Sequence, residues 1–422
     1  IFFRQSSPTL TMNKLRDVVI VAACRTPIGT FGGSLKDVST PVLAQTVMQE
    51  AIRRAGIDAS LIGDVRFGCC FPDVSALNVA RVGALMAGIP NTVPAITVNR
   101  VCTSGMSCIQ DGAVSIASGL MDVALVGGVE NMSNQPYLLP SARWGTRLQD
   151  GECIDALIRG LHVGSHFVPY PLDGPEEKFR GKPYIMGLTA EFVARKYGIT
   201  REEQDELAVR SHNSAEAATK EGRFANEIVS ISYKKKKKQV VVDRDEHFRP
   251  DLTIDGLSGL PPAFIPKGGS VTAGNASGMN DGASAMLLMS REKANELGVK
   301  PLAQITGVAM GGCAPETMGC SPVASVNNLM AMQGTKIDDY DLVELHEAFA
   351  AQYLACEKDL GLNRAITNVN GSGIGLGHPV GSTGSRIMVT LLHEMQRQGK
   401  KRGLASICGG GGVSTATEIV LE

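Results

Sequence analysis

Two cysteines of the 422-residue chain stand where a thiol could react. Cys102 follows a strand-like segment and precedes a predicted helix that opens with Ser104-Gly105, so its sulfur is expected at a helix N-terminus. That position lowers the pKa of a thiol from about 8.5 toward the physiological range. Cys408 ends a predicted strand directly before four glycines. Glycines there let backbone N–H groups come close to a ligand, as an oxyanion hole requires.

Two of the seven histidines are candidates for proton transfer. His378 stands between Gly377 and Pro379 in a glycine-rich loop, unlike a histidine packed in a core. Loops at the carboxyl ends of strands hold the ligand sites of α/β sheets. His346 follows an apolar and acidic run and precedes Glu347. The alternative to a role in proton transfer is that His346 lies on the surface of a helix. Together these side chains predict acyl transfer through a thioester, with a histidine taking the thiol proton and a second cysteine moving a proton on carbon.

The elements that must position these residues follow the same order in both halves of the chain. In the N-terminal half we predict strands over residues 17–23, 64–70 and 122–126, the last closed by Gly127-Gly128, and helices over residues 41–56 and 104–118. In the C-terminal half we predict a strand over residues 366–369, a glycine-rich loop over 370–377, a helix over 381–398 and a strand over 404–408. This order indicates two similar α/β units, each with a mainly parallel buried sheet.

The middle of the chain has a different composition. Residues 131–266 are richer in polar residues and proline, and they predict an inserted subdomain that covers the sheets. A long helix is predicted there after Thr200, an N-cap with Glu203 three residues on, as far as about Lys220. The five lysines of residues 234–238 predict either a solvated loop or a patch that steers a phosphate-bearing ligand.

Composition excludes several classes of protein. A formal net charge of −1 argues against nucleic-acid binding, and the apolar runs are far shorter than the roughly 20 residues of a membrane span. The ten cysteines form no CxxC pair or zinc-type spacing, so apart from Cys102 and Cys408 we expect reduced, buried thiols in a cytoplasmic protein. Residues 1–11 precede the first methionine and are interpreted as a disordered extension.

Five motifs, in register along the chain, closely resemble those of the thiolase family; they lie at residues 102–105, 271–278, 346–349, 370–379 and 408–411. The resemblance runs from Met12 to Glu422. It implies two similar βαβ-rich domains that form a layered α/β/α/β/α core with an inserted loop domain. The implied boundaries are residues 12–133 plus 277–299 for the N-terminal domain, 134–276 for the CoA- and acyl-binding loop domain, and 300–422 for the C-terminal domain.

The resemblance implies a CoA-dependent acyltransferase that cleaves 3-ketoacyl-CoA or forms it by Claisen condensation, as in fatty-acid metabolism. Cys102 is similar to the family's acyl-accepting nucleophile, and His378 to the base that activates it and to a donor in the first oxyanion hole. Cys408 resembles the acid/base for the acetyl α-carbon. The N–H groups of Cys102 and Gly410 resemble the second oxyanion hole. Acyl-CoA and CoA are the implied partners, with no tightly bound cofactor or metal, in a homodimer or homotetramer.

Further residues match the family's substrate contacts. Ala276 and Ser277 lie in a loop that resembles its pantetheine contact, while Met186, Met318 and Phe349 match positions near the acyl and pantetheine groups. For the two methionines, gap-filling in a core is the alternative.

Two departures from the family pattern concern specificity. His346 stands where many members have asparagine, as in some fatty-acid-degrading thiolases, which leaves the balance of synthesis and cleavage open. Residues 167–184 form a longer loop than in the acetoacetyl-CoA enzymes, and Ile185 replaces a histidine common there. Acyl groups longer or bulkier than acetoacetyl are therefore plausible substrates.

Three alternatives remain open at this point. A decarboxylating ketosynthase of the same fold would pair one cysteine with two histidines, but it would lack Cys408. A dinucleotide-binding oxidoreductase would use the glycines of residues 371–377, although their spacing is not GxGxxG and the next strand ends at Cys408 rather than at an acidic residue. A non-catalytic acyl-CoA-binding homologue would not need Cys102, His378 and Cys408 together.

Overall fold

The computed structural model describes residues 15–422, and the predicted extension over residues 1–11 lies outside them. The strands are β1 (Val18–Arg25), β2 (Gly29–Thr30), β3 (Asp64–Gly68), β4 (Ala95–Val98), β5 (Val123–Asn131), β6 (Tyr137–Leu138), β7 (Ile154–Asp155), β8 (Ile231–Lys235), β9 (Lys238–Val242), β10 (Asn280–Ser290), β11 (Ala303–Gly312), β12 (Leu342–Leu345), β13 (Arg402–Gly409) and β14 (Val413–Leu421).

The helices lie between these strands and on both sides of them. They are α1 (Thr40–Ala55), α2 (Val79–Met86), α3 (Ser104–Ala117), α4 (Ala156–Gly160), α5 (Met186–Tyr197), α6 (Arg201–Lys220), α7 (Ile254–Ser258), α8 (Arg291–Leu297), α9 (Ser321–Gln333), α10 (Ala350–Leu360), α11 (Gly373–Leu376) and α12 (Val380–Gln398). Short 3₁₀ helices lie at Ala59–Leu61, Glu177–Phe179, Pro315–Cys320 and Ile337–Asp339.

The main sheet consists of two units with one topology. Its order is β12-β13-β14-β11-β1-β10-β5-β3-β4, with β2 paired to β10. In the N-terminal unit the first strand β1 pairs with β10, which pairs with β5, then β3 and β4. The C-terminal unit repeats this from β11 through β14, β13 and β12 to a single bridge between Val343 and Thr367. The shared strand order confirms the predicted repeat. An antiparallel pairing of Val18–Ile20 with Ala303–Ile305 joins the two units.

The prediction of mainly parallel sheets is wrong. Among the pairings of the main sheet within residues 15–422, those of β3–β4, β3–β5, β12–β13 and the Val343–Thr367 bridge are parallel, and the others between its strands are antiparallel. A tight turn between β13 and β14 forces those two strands to run in opposite directions. Strands buried on both faces are continuous apolar runs in either orientation, so their sequences did not reveal the direction.

Two local predictions also fail. The glycine pair Gly127-Gly128 does not close a strand, because β5 continues to Asn131. A Cβ at Gly128 would lie 2.2 Å from the carbonyl oxygen of Gly381. These glycines therefore allow another backbone segment to approach the strand closely, and they do not form a turn. Residues 366–369 form only the Thr367 bridge and not a strand.

The helices complete five layers. Helices α1 and α2 cover the outer face of the N-terminal unit, and α9 and α10 cover the outer face of the C-terminal unit. Between the two units lie α3 and α12, whose apolar side chains pack in one core with strands from both. The predicted α/β/α/β/α core is confirmed, and its middle layer consists of two helices that touch each other.

The region between β5 and β10 contains α4–α7 and two hairpins. The predicted long helix is α6, and it begins with a capping box in which the Thr200 side chain accepts from the Glu203 N–H and the Glu203 carboxylate accepts from the Thr200 N–H. The predicted lysine run lies in the hairpin β8–β9. Across residues 15–422, none of the helices combines the length and the apolar character needed to cross a bilayer.

Candidate active site

The repeated topology places Cys102 and His378 at equivalent points. Cys102 follows β4, His378 follows the Thr367 bridge, and each stands two residues before a middle-layer helix. The N-terminal ends of α3 and α12 pack closely on each other: a Cβ at Gly105 would lie 2.7 Å from Ser385 Oγ, and one at Gly384 would lie 2.6 Å from the Met106 nitrogen. This packing brings Cys102 and His378 to one site.

A cavity of about 670 Å³ opens at this site. Its lining includes Cys102 and His378 together with all five predicted substrate contacts, which are Met186, Ala276, Ser277, Met318 and Phe349. The remaining lining is mainly apolar and includes Phe71, Leu161, Val163 and Ile185. A cavity of this size and character suits a flexible apolar ligand with few polar contacts.

Cys102 is buried, and the predicted effect of the helix N-terminus on it is outweighed. Burial raises the pKa of its thiol to about 11, while hydrogen bonds from the backbone N–H groups of Gly410 and Cys102 itself oppose the shift. The prediction of a lowered pKa is therefore wrong, because desolvation of the thiolate exceeds what the helix end supplies. The preceding Val101 has a φ of 50°, a strained backbone conformation for a β-branched residue. Cys102 is thus a neutral thiol at rest and needs a base to react.

His378 is arranged as that base. Its backbone N–H donates to Asn280 Oδ1 at 2.8 Å, and its Nδ1 lies 2.7 Å from Thr383 Oγ1. The Thr383 hydroxyl donates its own hydrogen to the Pro379 carbonyl at 3.0 Å, so it must accept from His378 Nδ1–H. The hydrogen-bond network therefore assigns the proton to Nδ1 and leaves Nε2 as the acceptor. Burial, helped by the charge of Arg386, lowers the pKa of His378 to about 3, which keeps the ring neutral.

The ring of His346 lies beside that of His378, tilted by 40°. His346 directly follows β12, its backbone N–H donates to the Ser406 carbonyl at 2.9 Å, and its ring centroid is 4.2 Å from that of His378. Burial lowers the pKa of His346 well below its usual value, with smaller contributions from His378 and Arg386. Neither ring nitrogen has a hydrogen-bond partner among the described residues. A neutral imidazole in this position can offer an N–H to a developing oxyanion.

Cys408 and Gly410 approach the same point from β13. Cys408 is fully buried in an apolar cluster with Met318, Ala348 and Phe349. Burial raises the pKa of its thiol well above the usual value, and the next cause in size is the nearby Cys102. Gly410 directs its N–H to Cys102, and a Cβ there would lie 2.6 Å from Val163 Cγ2. Neither Cys408 nor Gly410 lines the cavity.

The two remaining motifs are held together by backbone pairing. Ala276 forms an antiparallel bridge with Phe349, the Ser277 N–H donates to the Ala348 carbonyl at 3.0 Å, and the Ala350 N–H donates to the Asn275 carbonyl at 2.9 Å. The loop of residues 271–278 therefore lies against the segment that contains His346. All five motifs meet at this one site.

Sequence reasoning missed three supporting residues. Asn280 and Thr383 hold His378, and each stands within a few residues of a recognised motif. Glu130, at the end of β5, is fully buried and accepts the N–H groups of Cys70, Phe71 and Gly381 at 2.8 to 3.0 Å. An acidic residue four positions after the predicted apolar strand of residues 122–126 was the available signal for it.

The other cysteines fit the expectation of buried thiols only in part. All ten are free, and Cys24, Cys69, Cys108 and Cys356 are buried. Cys153 is exposed, and Cys70 lines the cavity, which its apolar sequence neighbourhood did not reveal.

Two predicted regions are not part of the cavity wall. Lys235 pairs with Asp37 at 2.8 Å, and none of residues 234–238 lines the cavity. The loop of residues 167–184 folds around an aromatic cluster that contains Tyr170 and Phe192, and it does not line the cavity either, although Ile185 does. Among residues 15–422, no group of three or more His, Cys, Asp or Glu side chains has the arrangement of a metal site.

Comparison with known proteins identifies relatives over almost the whole chain. The family model described as "Thiolase, N-terminal domain" matches residues 18–292, and that of "Thiolase, C-terminal domain" matches residues 299–421. An acetyl-CoA acetyltransferase of Syntrophomonas wolfei is 48% identical over 405 residues, which cover 95% of this chain and 98% of the relative. A beta-ketothiolase, BktB, of Cupriavidus necator is 43% identical over 95% of this chain and 98% of its own length.

Solved structures agree with these matches. The crystal structure of the Bacillus anthracis acetyl-CoA acetyltransferase is 46% identical and superposes with a TM-score of 0.91. The match covers 97% of this chain and 100% of that one. The crystal structure of the human mitochondrial 3-ketoacyl-CoA thiolase is 39% identical with a TM-score of 0.89 and the same coverage.

Proposed function

The chain belongs to the thiolase family, and from that premise we propose how its residues divide the work of a two-step acyl transfer. The protein is a CoA-dependent acyltransferase that cleaves 3-ketoacyl-CoA to acetyl-CoA and a shortened acyl-CoA, or runs the Claisen condensation in reverse. The proposal assigns the nucleophile to Cys102, its base to His378 and the carbon acid/base to Cys408. The strongest support is that Cys102 and His378 both line one apolar cavity and that the buried Cys408 lies near Cys102.

In the first step His378 Nε2 takes the Cys102 proton, and the thiolate attacks the 3-keto carbon. The N–H groups of Cys102 and Gly410 stabilise the resulting oxyanion. The bond between C2 and C3 then breaks, and acetyl-CoA departs as an enolate whose oxygen receives hydrogen bonds from the imidazoles of His346 and His378. Cys408 gives its proton to the enolate carbon, which leaves an acyl group on Cys102 and a thiolate at Cys408.

In the second step the Cys408 thiolate takes the proton of a CoA thiol. The CoA thiolate attacks the acyl-Cys102 thioester, and the departing Cys102 thiolate recovers its proton from His378. Every proton is thereby returned, which gives ping-pong kinetics. A fully buried Cys408 suits this role because its raised pKa keeps it protonated at rest, ready to act as an acid toward a strongly basic carbon.

We also propose that the enzyme accepts acyl chains longer than acetoacetyl. Ile185 lines the cavity beside apolar residues that include Leu161 and Val163, so the wall near Cys102 is suited to methylene groups. The test is a CoA-dependent thiolysis assay on 3-ketoacyl-CoA substrates from short to long chains. The wild-type enzyme is expected to show a higher kcat/KM for longer chains, Ile185→His to shift the preference toward acetoacetyl-CoA, and Cys102→Ala to lose turnover. A Cys102→Ala enzyme that still turns over would refute the mechanism, and a preference for acetoacetyl-CoA in the wild type would refute the chain-length proposal.

The alternatives from the sequence find less support. Both family models that match are those of thiolases, and Cys408 is present where a ketosynthase has no acid/base cysteine. The glycines of residues 371–377 do not leave room for a dinucleotide, because a Cβ at Gly373 would lie 2.4 Å from His346 Cε1 and one at Gly375 would lie 2.4 Å from the Ser211 carbonyl oxygen. These glycines admit protein atoms rather than a pyrophosphate.

The assembly and location are proposals of the same kind. We propose a homodimer or homotetramer, because β4 ends the main sheet with Ile96 half exposed on it, and an unpaired sheet edge favours pairing with another strand. Light scattering on the purified protein measures the assembly, and a monomer would contradict the proposal. A cytoplasmic location stays a prediction from the ten free cysteines.

A further inference from the structure

Arg386 is a buried cation that the mechanism so far leaves unused. It lies on α12, its residue is 1% exposed, and none of its three guanidinium nitrogens has a hydrogen-bond partner among the described residues. Buried polar atoms in native proteins are almost always hydrogen-bonded, and those without a protein partner bind internal water. A buried arginine in this state therefore requires an explanation.

The position of Arg386 on its helix directs it toward the catalytic base. Thr383, which fixes His378 Nδ1, stands three residues earlier, so the two side chains share one face of α12. Thr390, four residues later, donates to Glu227 at 3.2 Å on the same face. Arg386 thus lies one helical turn behind the residue that orients His378.

The strand opposite this face presents matching groups. In β12, Val343 and Leu345 belong to the outer core of the C-terminal unit, so the alternating residue Glu344 faces the middle layer, as does His346 beyond the strand end. Helix α12 packs on β12. One carboxylate oxygen of Glu344, both ring nitrogens of His346 and the hydroxyl of Ser372 are also buried without a partner among residues 15–422.

We propose that Arg386 is a positioning residue of the acyl-transfer reaction, joined to Glu344 and to the imidazole of His346 through buried water. Its hydrogen bonds fix the orientation of His346, and its charge adds to burial in keeping both active-site imidazoles neutral. Neutral rings are what the mechanism requires, because His378 must accept a proton from Cys102. The inference rests on the proposed function, in which His378 is that base.

The charges around the two histidines agree with this role. Burial is the main cause that lowers the pKa of both His346 and His378, and the charge of Arg386 lowers it further. Glu344 is the largest opposite charge on Arg386 itself. Burial raises the pKa of Glu344 to about 8, so much of the Arg386 charge remains uncompensated near neutral pH. The other ionisable groups of this region are Glu347, Cys102, Cys408, His247 and the buried cluster of Arg25 with Glu227 and Asp245. Arg25 has its own two carboxylates, which leaves Arg386 as the cation that acts on both histidines.

The test compares Arg386→Met and Arg386→Lys with Arg397→Met, a matched control. Arg397 lies on the same helix, is 44% exposed at its side chain and pairs with Glu394. Arg386→Met is expected to lower kcat at least about tenfold with little change in the KM for CoA, because a misplaced catalytic group costs turnover rather than binding. The acid limb of the pH profile of kcat/KM should move to higher pH in Arg386→Met, because the imidazole of His378 becomes easier to protonate. Arg386→Lys should lose turnover but keep the wild-type acid limb, and Arg397→Met should match the wild type.

Two results would overturn the inference. One is an Arg386→Met enzyme with reduced thermal stability but an unchanged acid limb, which is the signature of a purely structural arginine. The other is an NMR titration of the wild-type enzyme with labelled histidine in which His378 becomes protonated near the usual histidine pKa of about 6.5. This measurement does not depend on whether a variant folds. A wild-type enzyme without any thiolysis would instead refute the proposed function and is recognised before the variants are compared.

Discussion

At the scale of single residues, the site depends on two neutral partners rather than on a resting ion pair. Burial raises the pKa of Cys102 to about 11 and lowers that of His378 to about 3, so neither is charged at neutral pH. Proton transfer between them must then be timed by substrate binding, and the orientation of His378 decides whether it occurs. That orientation rests on one side-chain hydrogen bond to Thr383 and one backbone hydrogen bond to Asn280.

Removing the Thr383 hydroxyl tests this directly. In Thr383→Val the imidazole loses its acceptor for Nδ1–H and can adopt the wrong tautomer, so kcat should fall about tenfold or more while the KM for CoA changes little. Thr383→Ser keeps the hydroxyl and serves as the matched control, with turnover close to that of the wild type. Steady-state thiolysis assays measure both. Equal losses in the two variants would mean that Thr383 contributes packing rather than the hydrogen bond.

At the scale of elements, glycines determine how closely the middle layer approaches the sheet. The first turn of α12 rests on β5, where the carbonyl oxygen of Gly381 would lie 2.2 Å from a Cβ at Gly128. Glu130, two residues after Gly128 on the same strand, accepts the Gly381 N–H at 2.8 Å. The glycine therefore allows the close approach of the helix start that positions His378, and the buried carboxylate holds it against β5.

Gly128→Ala should displace that helix start. We expect the added methyl group to lower the free energy of unfolding by about 2 kcal/mol or more and to reduce kcat, because the backbone of α12 cannot give way cheaply. Gly259→Ala is the matched control, since a Cβ at Gly259 meets no heavy atom within 4 Å and its φ is −77°. Urea unfolding and thiolysis assays on both variants give the comparison. A Gly128→Ala protein as stable and as active as the control would contradict this account of the packing.

At the scale of the whole molecule, the repeated order of elements was predictable and the strand directions were not. Motifs around Cys102, His378 and Cys408 could be recognised because glycines and reactive side chains coincide there. The pKa of Cys102 and the roles of Thr383, Glu130 and Arg386 depend on burial and on contacts between units. Such long-range contacts leave no trace in local composition. The same holds for β10, which joins the N-terminal sheet only after more than a hundred intervening residues.

The buried histidines predict a loss of stability in acid. Burial lowers the pKa of His212, His247, His346 and His378, so between their folded values and about 6.5 the unfolded chain binds more protons than the folded one. Their stabilisation is present above about pH 6.5 and is lost as the pH falls. Burial acts in the opposite direction on Glu344, whose pKa it raises to about 8, and on Glu130, Glu347 and Asp281, whose pKa values it also raises. Urea unfolding should show a net loss of stability between about pH 7 and 5.5, and an unfolding free energy that rises on acidification would contradict it.

The most direct test of the central claim follows one acetyl group and one proton. Each enzyme is incubated with acetyl-CoA in deuterated buffer, the acetylated residue is located by peptide mass spectrometry, and deuterium on the acetyl α-carbon is measured. The wild type should form an acetyl thioester at Cys102 and exchange the α-hydrogens. Cys408→Ala should retain the adduct and lose the exchange, and Cys102→Ala should form no adduct. Acetylation of another cysteine, or undiminished exchange in Cys408→Ala, would contradict the division of roles between Cys102 and Cys408.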